Sequence, residues 1–279
     1  MIAAFLATIF SAFDLIITKR VFNVFSNLSY KTFSWWLFIW IAIVGLIISP
    51  WFARIDAVAM TPYYLWLLLL MAFLAANYNL LYYFGLNYEK VSKIEPFLLF
   101  DPIITILIAS LFYADERFWQ VYVAAFIAGA MLSWSHIKKR HIKIGKPLLA
   151  ILGFSVLAGL EAVVIKQLLM AYSPSALYLV RALMIALFLW ILAKGKIAPI
   201  TIKQTPYFIL LAISATFICS LIYYAYHSIG INLTELILLS SPVLIYILSS
   251  MILKEKLNWK NLVTSAVVVL LIIWVIFVR

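Results

Sequence analysis

Long apolar blocks alternate with short polar breaks from one end of this chain to the other. Ten blocks approach the roughly 20 residues that an α-helix needs to cross a bilayer: 2–22, 32–49, 62–86, 94–113, 119–136, 147–170, 175–193, 206–229, 235–253 and 260–278. The breaks carry helix stops and charges, among them Pro50, Arg54 and Asp56, the run Lys90 to Lys93, and Asp115-Glu116-Arg117. The longest polar stretch, His136 to Lys146, lies mid-chain. The pattern predicts an all-α polytopic membrane protein with ten transmembrane helices and no soluble domain. The first residues, Met1 to Phe5, lack a basic lead-in, and Asp14 interrupts the apolar run behind them, so the segment reads as a first span and not a cleaved leader.

The two halves of the pattern match. Asp14 and Lys19 correspond to Glu161 and Lys166 at an offset of 147, and Thr61-Pro62-Tyr63 to Thr205-Pro206-Tyr207 at 144. Glu95 and Pro102 correspond to Glu235 and Pro242 at 140, and Glu116 and Trp119 to Glu255 and Trp259. The order is kept while the offset drifts, as changes in loop length would make it do. The expected organisation is a five-helix repeat over 1–135, a basic central loop over 136–146 and a second five-helix repeat over 147–279. Five is odd, so the second repeat enters the membrane from the opposite side. Inverted repeats of this kind are a common build of secondary transporters.

Composition agrees with lipid as the solvent: 67% of residues are hydrophobic, 11% are charged and the mean hydropathy is +1.12. Soluble domains carry about a quarter charged residues. The net charge of +11 does not point to nucleic acid, because its lysines and arginines sit between apolar runs and not on one wet face. The single cysteine, Cys219, excludes a disulfide framework or a cysteine-based metal cluster. Of the 21 lysines and arginines, sixteen fall on odd-numbered loops, against Arg54, Arg117 and Arg279 on the other side. The positive-inside rule then places the odd loops in the cytoplasm and both termini outside, in a multi-pass protein of the cytoplasmic membrane.

These features resemble the ten-helix EamA type of the drug/metabolite transporter superfamily. The resemblance rests on Gly85 to Gly129 and Gly230 to about Val268, each with a polar helix start, a mid-span proline (Pro102, Pro242) and a turn glutamate (Glu116, Glu255). Arg181 near the start of the seventh span also fits. The chain departs in having only eight glycines, and in termini expected outside where such proteins mostly keep them in the cytoplasm. With little glycine, helix packing is expected to be looser or differently made.

Ionisable groups at membrane depth are costly and mark candidate sites. Asp14, Glu161, Asp101, Glu95 and Glu235 are the candidate proton- or substrate-binding acids; Asp56, Glu89, Asp115, Glu116 and Glu255 read as solvated. Asp14 and Glu161 lie near mid-span. Desolvation penalises the charged form of a carboxyl, so such a group can hold a proton and release it when a cationic substrate arrives. The small multidrug resistance proteins use a first-helix glutamate in this way, and by resemblance Asp14 and Glu161 stand near that position. The alternative is an ion pair with another helix, since Lys19 and Lys166 stand about 140° around their own helices. Asp101 before Pro102 reads as cavity-lining at a kink or as an inter-helix hydrogen bond. Glu95 and Glu235 also read as capping boxes, from Ser92 and Asn232 respectively.

Candidate cavity-lining residues are Lys166, Asn77, Tyr78, Tyr82, Tyr223, Tyr224 and His227, with Pro102 and Pro242 as helix kinks. Lys166 also reads as an ion-pair partner, and Arg181 as snorkelling to the interface. Histidines 136, 141 and 227 form no metal-ligand cluster, and no metal or cofactor is expected. Without a Walker A pattern or clustered catalytic groups, neither ATP hydrolysis nor enzyme chemistry is expected. The expectation is a secondary active transporter of amino acids, amines or lipophilic cations, exporting and proton-coupled. Its partners would be the bilayer, a small-molecule substrate and protons, with no nucleic acid; monomer and homodimer stay open. The competing reading is a lipid flippase or a non-transporting membrane subunit.

Overall fold

Prolines and hydroxyl side chains set the helix starts. The computed structural model describes residues 1–25, 27–89, 94, 97–98, 100–136, 145–241 and 259–278. Among them ten α-helices form: α1 Ile2–Val24, α2 Tyr30–Phe52, α3 Pro62–Tyr88, α4 Phe100–Phe112, α5 Trp119–His136, α6 Lys146–Leu168, α7 Pro174–Leu192, α8 Thr205–Ile229, α9 Ile231–Leu238 and α10 Trp259–Val278. Each overlaps one apolar block. Prolines stand in the first turn of α3, α6, α7 and α8, where a missing N–H costs nothing. Ser29 and Ser173 cap α2 and α7 by accepting the N–H groups of Thr32 and Ala176.

Among the described residues six helices, α1, α2, α3, α6, α7 and α8, are long and apolar enough to cross a membrane, and shorter apolar helical stretches lie at Phe100–Phe112, Trp119–Met131 and Ala266–Val278. Their outer faces are apolar, as lipid requires: Trp66, Phe73, Leu187 and Phe277 are exposed. Buried hydroxyls find partners inside their own helices; Thr8 donates to the Ala4 carbonyl at 2.7 Å and Thr216 to that of Ala212 at 2.7 Å. Lys19 of α1 donates to the carbonyls of Leu86 and Glu89 at 2.6 and 2.8 Å, satisfying acceptors at the end of α3.

The most extensive packing joins α3 to α6, α2 to α7, α1 to α8, α4 to α6, α5 to α10, α2 to α8 and α4 to α9. Every one of these pairs takes one helix from the first five and one from the last five. One apolar core is built mainly from α1, α2, α3, α6, α7 and α8, and another from α1, α5, α9 and α10 with Ile106 of α4 and Ala225 of α8. The scarcity of glycine does not loosen these seams. Gly85 lies against Ile151, Gly45 against Leu179, Gly129 against Ile103, Gly153 against Leu81 and Gly159 against Thr105, so five of the eight glycines stand at helix crossings. Alanine makes the second core: Ala3, Ala4, Ala124, Ala125, Ala128 and Ala225 are buried there. The α2–α3 and α6–α7 connections meet as well, through Asp56 N–H to Ala171 O at 3.0 Å and Ser173 N–H to Arg54 O at 2.9 Å.

Candidate functional site

Seven helices leave a central cavity of about 370 Å³ between them. Ser11 and Leu15 come from α1, Tyr78, Asn79, Tyr82 and Tyr83 from α3, Asp101, Pro102 and Thr105 from α4, and Phe154 and Glu161 from α6. Arg181 comes from α7, Cys219, Tyr223 and Tyr226 from α8, and Glu235 and Leu238 from α9. The periodicity of each helix selects these residues. On α8, positions 219, 223 and 226 fall on one stripe, while Tyr224 and His227 point elsewhere and are exposed. On α3, Tyr78, Asn79, Tyr82 and Tyr83 share a face that excludes Asn77, whose side chain donates to the Phe73 carbonyl at 2.7 Å instead. Asn77, Tyr224 and His227, expected at the cavity, are therefore not part of it.

Charge is arranged in two ways within the cavity. Glu161 is neutralised. Arg181 Nε lies 2.6 Å from its Oε1 and Nη2 3.2 Å from its Oε2, with the two side chains 3% and 4% exposed. Arg181 Nη2 also donates to the Tyr78 hydroxyl. The guanidinium stands 5.7 Å from both the Tyr78 and Tyr178 ring centres, a cation–π distance. Arg181 thus does not snorkel. It enters α7 seven residues past the helix start, about 10 Å deep, and that depth was the signal available in the sequence. Burying a guanidinium there is sustainable only because its donors are used.

Asp101 and Glu235 are the second arrangement. Asp101 belongs to the first half and Glu235 to the second, and α4 and α9 pack together. Both carboxyls face the cavity and repel one another when charged. Asp101 Oδ1 is buried without a hydrogen-bond partner, while Glu235 Oε1 accepts from the Tyr226 hydroxyl. Ser241, the counterpart of Asp101, lines the same cavity. Pro102 reaches the cavity wall. Asp14 lies just behind the wall, beside Ser214 of α8, its Oδ1 buried and without a partner.

Three expectations change. Glu235 does not close a capping box; the start of α9 is capped by Glu116, whose Oε1 and Oε2 accept the N–H groups of Ile231 and Asn232 at 2.8 and 3.0 Å. Glu116 is accordingly 1% exposed and not solvated. Lys166 does not line the central cavity; it pairs with Asp115 and Glu116 at 2.6 Å each. Glu95, Pro242, Glu255 and the central loop over 137–144 lie outside the described residues. Among the described residues no group of His, Cys, Asp or Glu could hold a metal ion.

A bundle of apolar helices around a charged, aromatic-lined cavity defines a multi-pass integral membrane protein. The model of the EamA-like transporter family matches residues 145–278, so the second half of the chain is similar to that family. The family is membrane-embedded and transports small substrates. No curated protein matches the chain. Among solved structures, one described only as a crystal structure of a protein superposes with a TM-score of 0.74 at 14% identity, covering 97% of this chain and 93% of its own. That likeness concerns the fold.

Proposed function

We propose that the protein is a secondary active transporter that moves small organic cations or zwitterions (amines, amino acids or lipophilic cations) out of the cell in exchange for protons. The observation that carries this reading is the carboxyl pair Asp101 and Glu235, one from each half of the chain, facing a common cavity. Two such groups hold one proton or one substrate ammonium well, but not two negative charges. A substrate cation and a proton therefore compete for the pair, and that competition couples their movements. Glu161, by contrast, is already paired with Arg181. Tyr82 and Phe154, with ring centres 5.0 Å apart, offer aromatic faces for the organic part of a substrate.

The matching halves of the sequence, and the most extensive helix pairings, which cross between them, support ten spanning helices in two inverted repeats. Rocking one repeat against the other would expose the cavity to each side in turn. Lipid translocation is the second reading. It draws on an apolar groove of about 720 Å³ between α3 and α7, lined by Trp66, Phe73, Leu187 and Phe188, which suits an acyl chain but offers a headgroup no charged partner.

Purified protein in liposomes with a trapped pH dye tests the reading against a panel of amino acids, amines and lipophilic cations. A substrate gradient is expected to drive proton movement, and Asp101→Asn or Glu235→Gln to abolish it. Proton movement that survives both substitutions, in protein that still carries substrate, would sink the assignment of the pair.

A further inference from the structure

Tyr226 stands between two cavities. On one side is the central cavity, where its hydroxyl donates to Glu235. On the other is a second space, also of about 370 Å³, lined by Asp115, Glu116, Lys166, His227, Ser228 and Gly230 as well as by Tyr226 itself. The second space is polar where the outer surfaces of the spanning helices are not.

Glu116 ties together three parts of the chain around this space. It ends the 3-10 turn Ala114–Glu116 that follows α4. Its carboxylate takes two N–H groups of α9, 115 and 116 residues further along the chain, because Gly230 at the helix start has no side chain to cap them. Lys166, near the end of α6, meets the same carboxylate at 2.6 Å and stands 4.5 Å from the Tyr113 ring. Asn232 reaches back, its Nδ2 donating to the Glu116 carbonyl at 2.6 Å and to Ser110 Oγ at 2.7 Å. Gly230 has φ +88°, and a Cβ there would lie 2.7 Å from Glu116 Oε1, so the carboxylate sits directly on the α8–α9 turn. The helix so held has only eight residues. Its first two N–H groups are on Glu116 and its fifth residue is Glu235, so a shift of Glu235 in the cavity bears on the Glu116 grip less than two turns away.

We infer that the second space is an outer chamber of the transport path and that Glu116 is the latch that closes it. Substrate leaving the Asp101–Glu235 pair passes Tyr226 once the α8–α9 turn parts from Glu116 and Lys166. This rests on the transport reading above. On the orientation expected from loop charges, the latch closes the face away from the cytoplasm.

Cys219 is a built-in reporter, being the one cysteine in the sequence and part of the central cavity wall. Its reaction with a membrane-impermeant maleimide is followed in vesicles of each orientation. Glu116→Gln and Lys166→Gln are expected to speed labelling from the Glu116 face about tenfold, equivalent to about 1.4 kcal/mol, without changing it from the opposite face. Glu116→Asp, which keeps the charge, is expected to stay near the wild-type rate. Unchanged rates in both neutral variants, or an equal rise from both faces, overturn the latch. A second form guards against misfolding: Ser110→Cys with Asn232→Cys, cross-linked by oxidation, is expected to stop substrate flux and to regain it on reduction. Flux that continues through the cross-linked protein also overturns it. A wild-type protein that carries no substrate fails the transport reading instead, and the labelling rates do not depend on that outcome.

Discussion

Replacing Arg181 by methionine strips one partner from a buried ion pair and leaves the other in place. The variant loses the contacts of 2.6 and 3.2 Å to Glu161 and the bond to the Tyr78 hydroxyl. With both charged side chains under 5% exposed, water does not reach the orphaned carboxylate freely. Breaking a buried pair from one side costs about 3–5 kcal/mol. At about 2–4 °C per kcal/mol for chains approaching this size, the unfolding temperature is expected to fall by roughly 10 °C. Adding Glu161→Leu removes the unpaired charge, so the double variant is expected to recover most of that loss, since apolar replacement of a whole buried pair is often neutral. The assay is thermal unfolding of detergent-solubilised protein followed by far-ultraviolet circular dichroism, with the four proteins of the double-mutant cycle measured together. A single variant that melts with the wild type, or a double variant that falls as far as the single, would refute the view that the pair is locked and neutral.

Two further outcomes follow from the geometry. Gly159→Ala places a Cβ 3.0 Å from the Ile108 side chain and 3.2 Å from the Thr105 backbone, so α6 and α4 must part beside the cavity; a loss of about 1–3 kcal/mol is expected in the same unfolding assay. Tyr224→Phe changes an exposed group outside both cavities, and substrate binding to purified protein is expected to match the wild type by tryptophan quenching. A marked loss of binding would mean that the cavity wall is drawn wrongly.

The acids show how far the sequence carried and where it stopped. Asp14 and Glu161 occupy matching positions in the two halves, and nothing in their spacing separates their roles. The fold separates them: Glu161 meets Arg181 from the neighbouring helix, while Asp14 lies beside Ser214 and its Oδ1 has no hydrogen-bond partner among the described residues. Asp101 was legible as a cavity acid from the proline behind it. Its pairing with Glu235 was not, because it depends on α4 packing against α9 across the whole central stretch of the chain. Glu116 was misread for the same reason. A turn acid with no local partner looks solvated until a glycine-capped helix from the other half is laid against it.

By itself the sequence determined the helical class, the lipid environment and the approximate position of each helix. Those follow from the length and apolarity of each block, which are local properties, and from the need to satisfy backbone groups within a segment in a solvent without water. Only the tertiary structure decided which face of each helix meets the cavity and which charges cancel there. A few ångströms between helices far apart in sequence separate a carboxyl paired with a guanidinium from one that faces another carboxyl, and no local pattern encodes that distance.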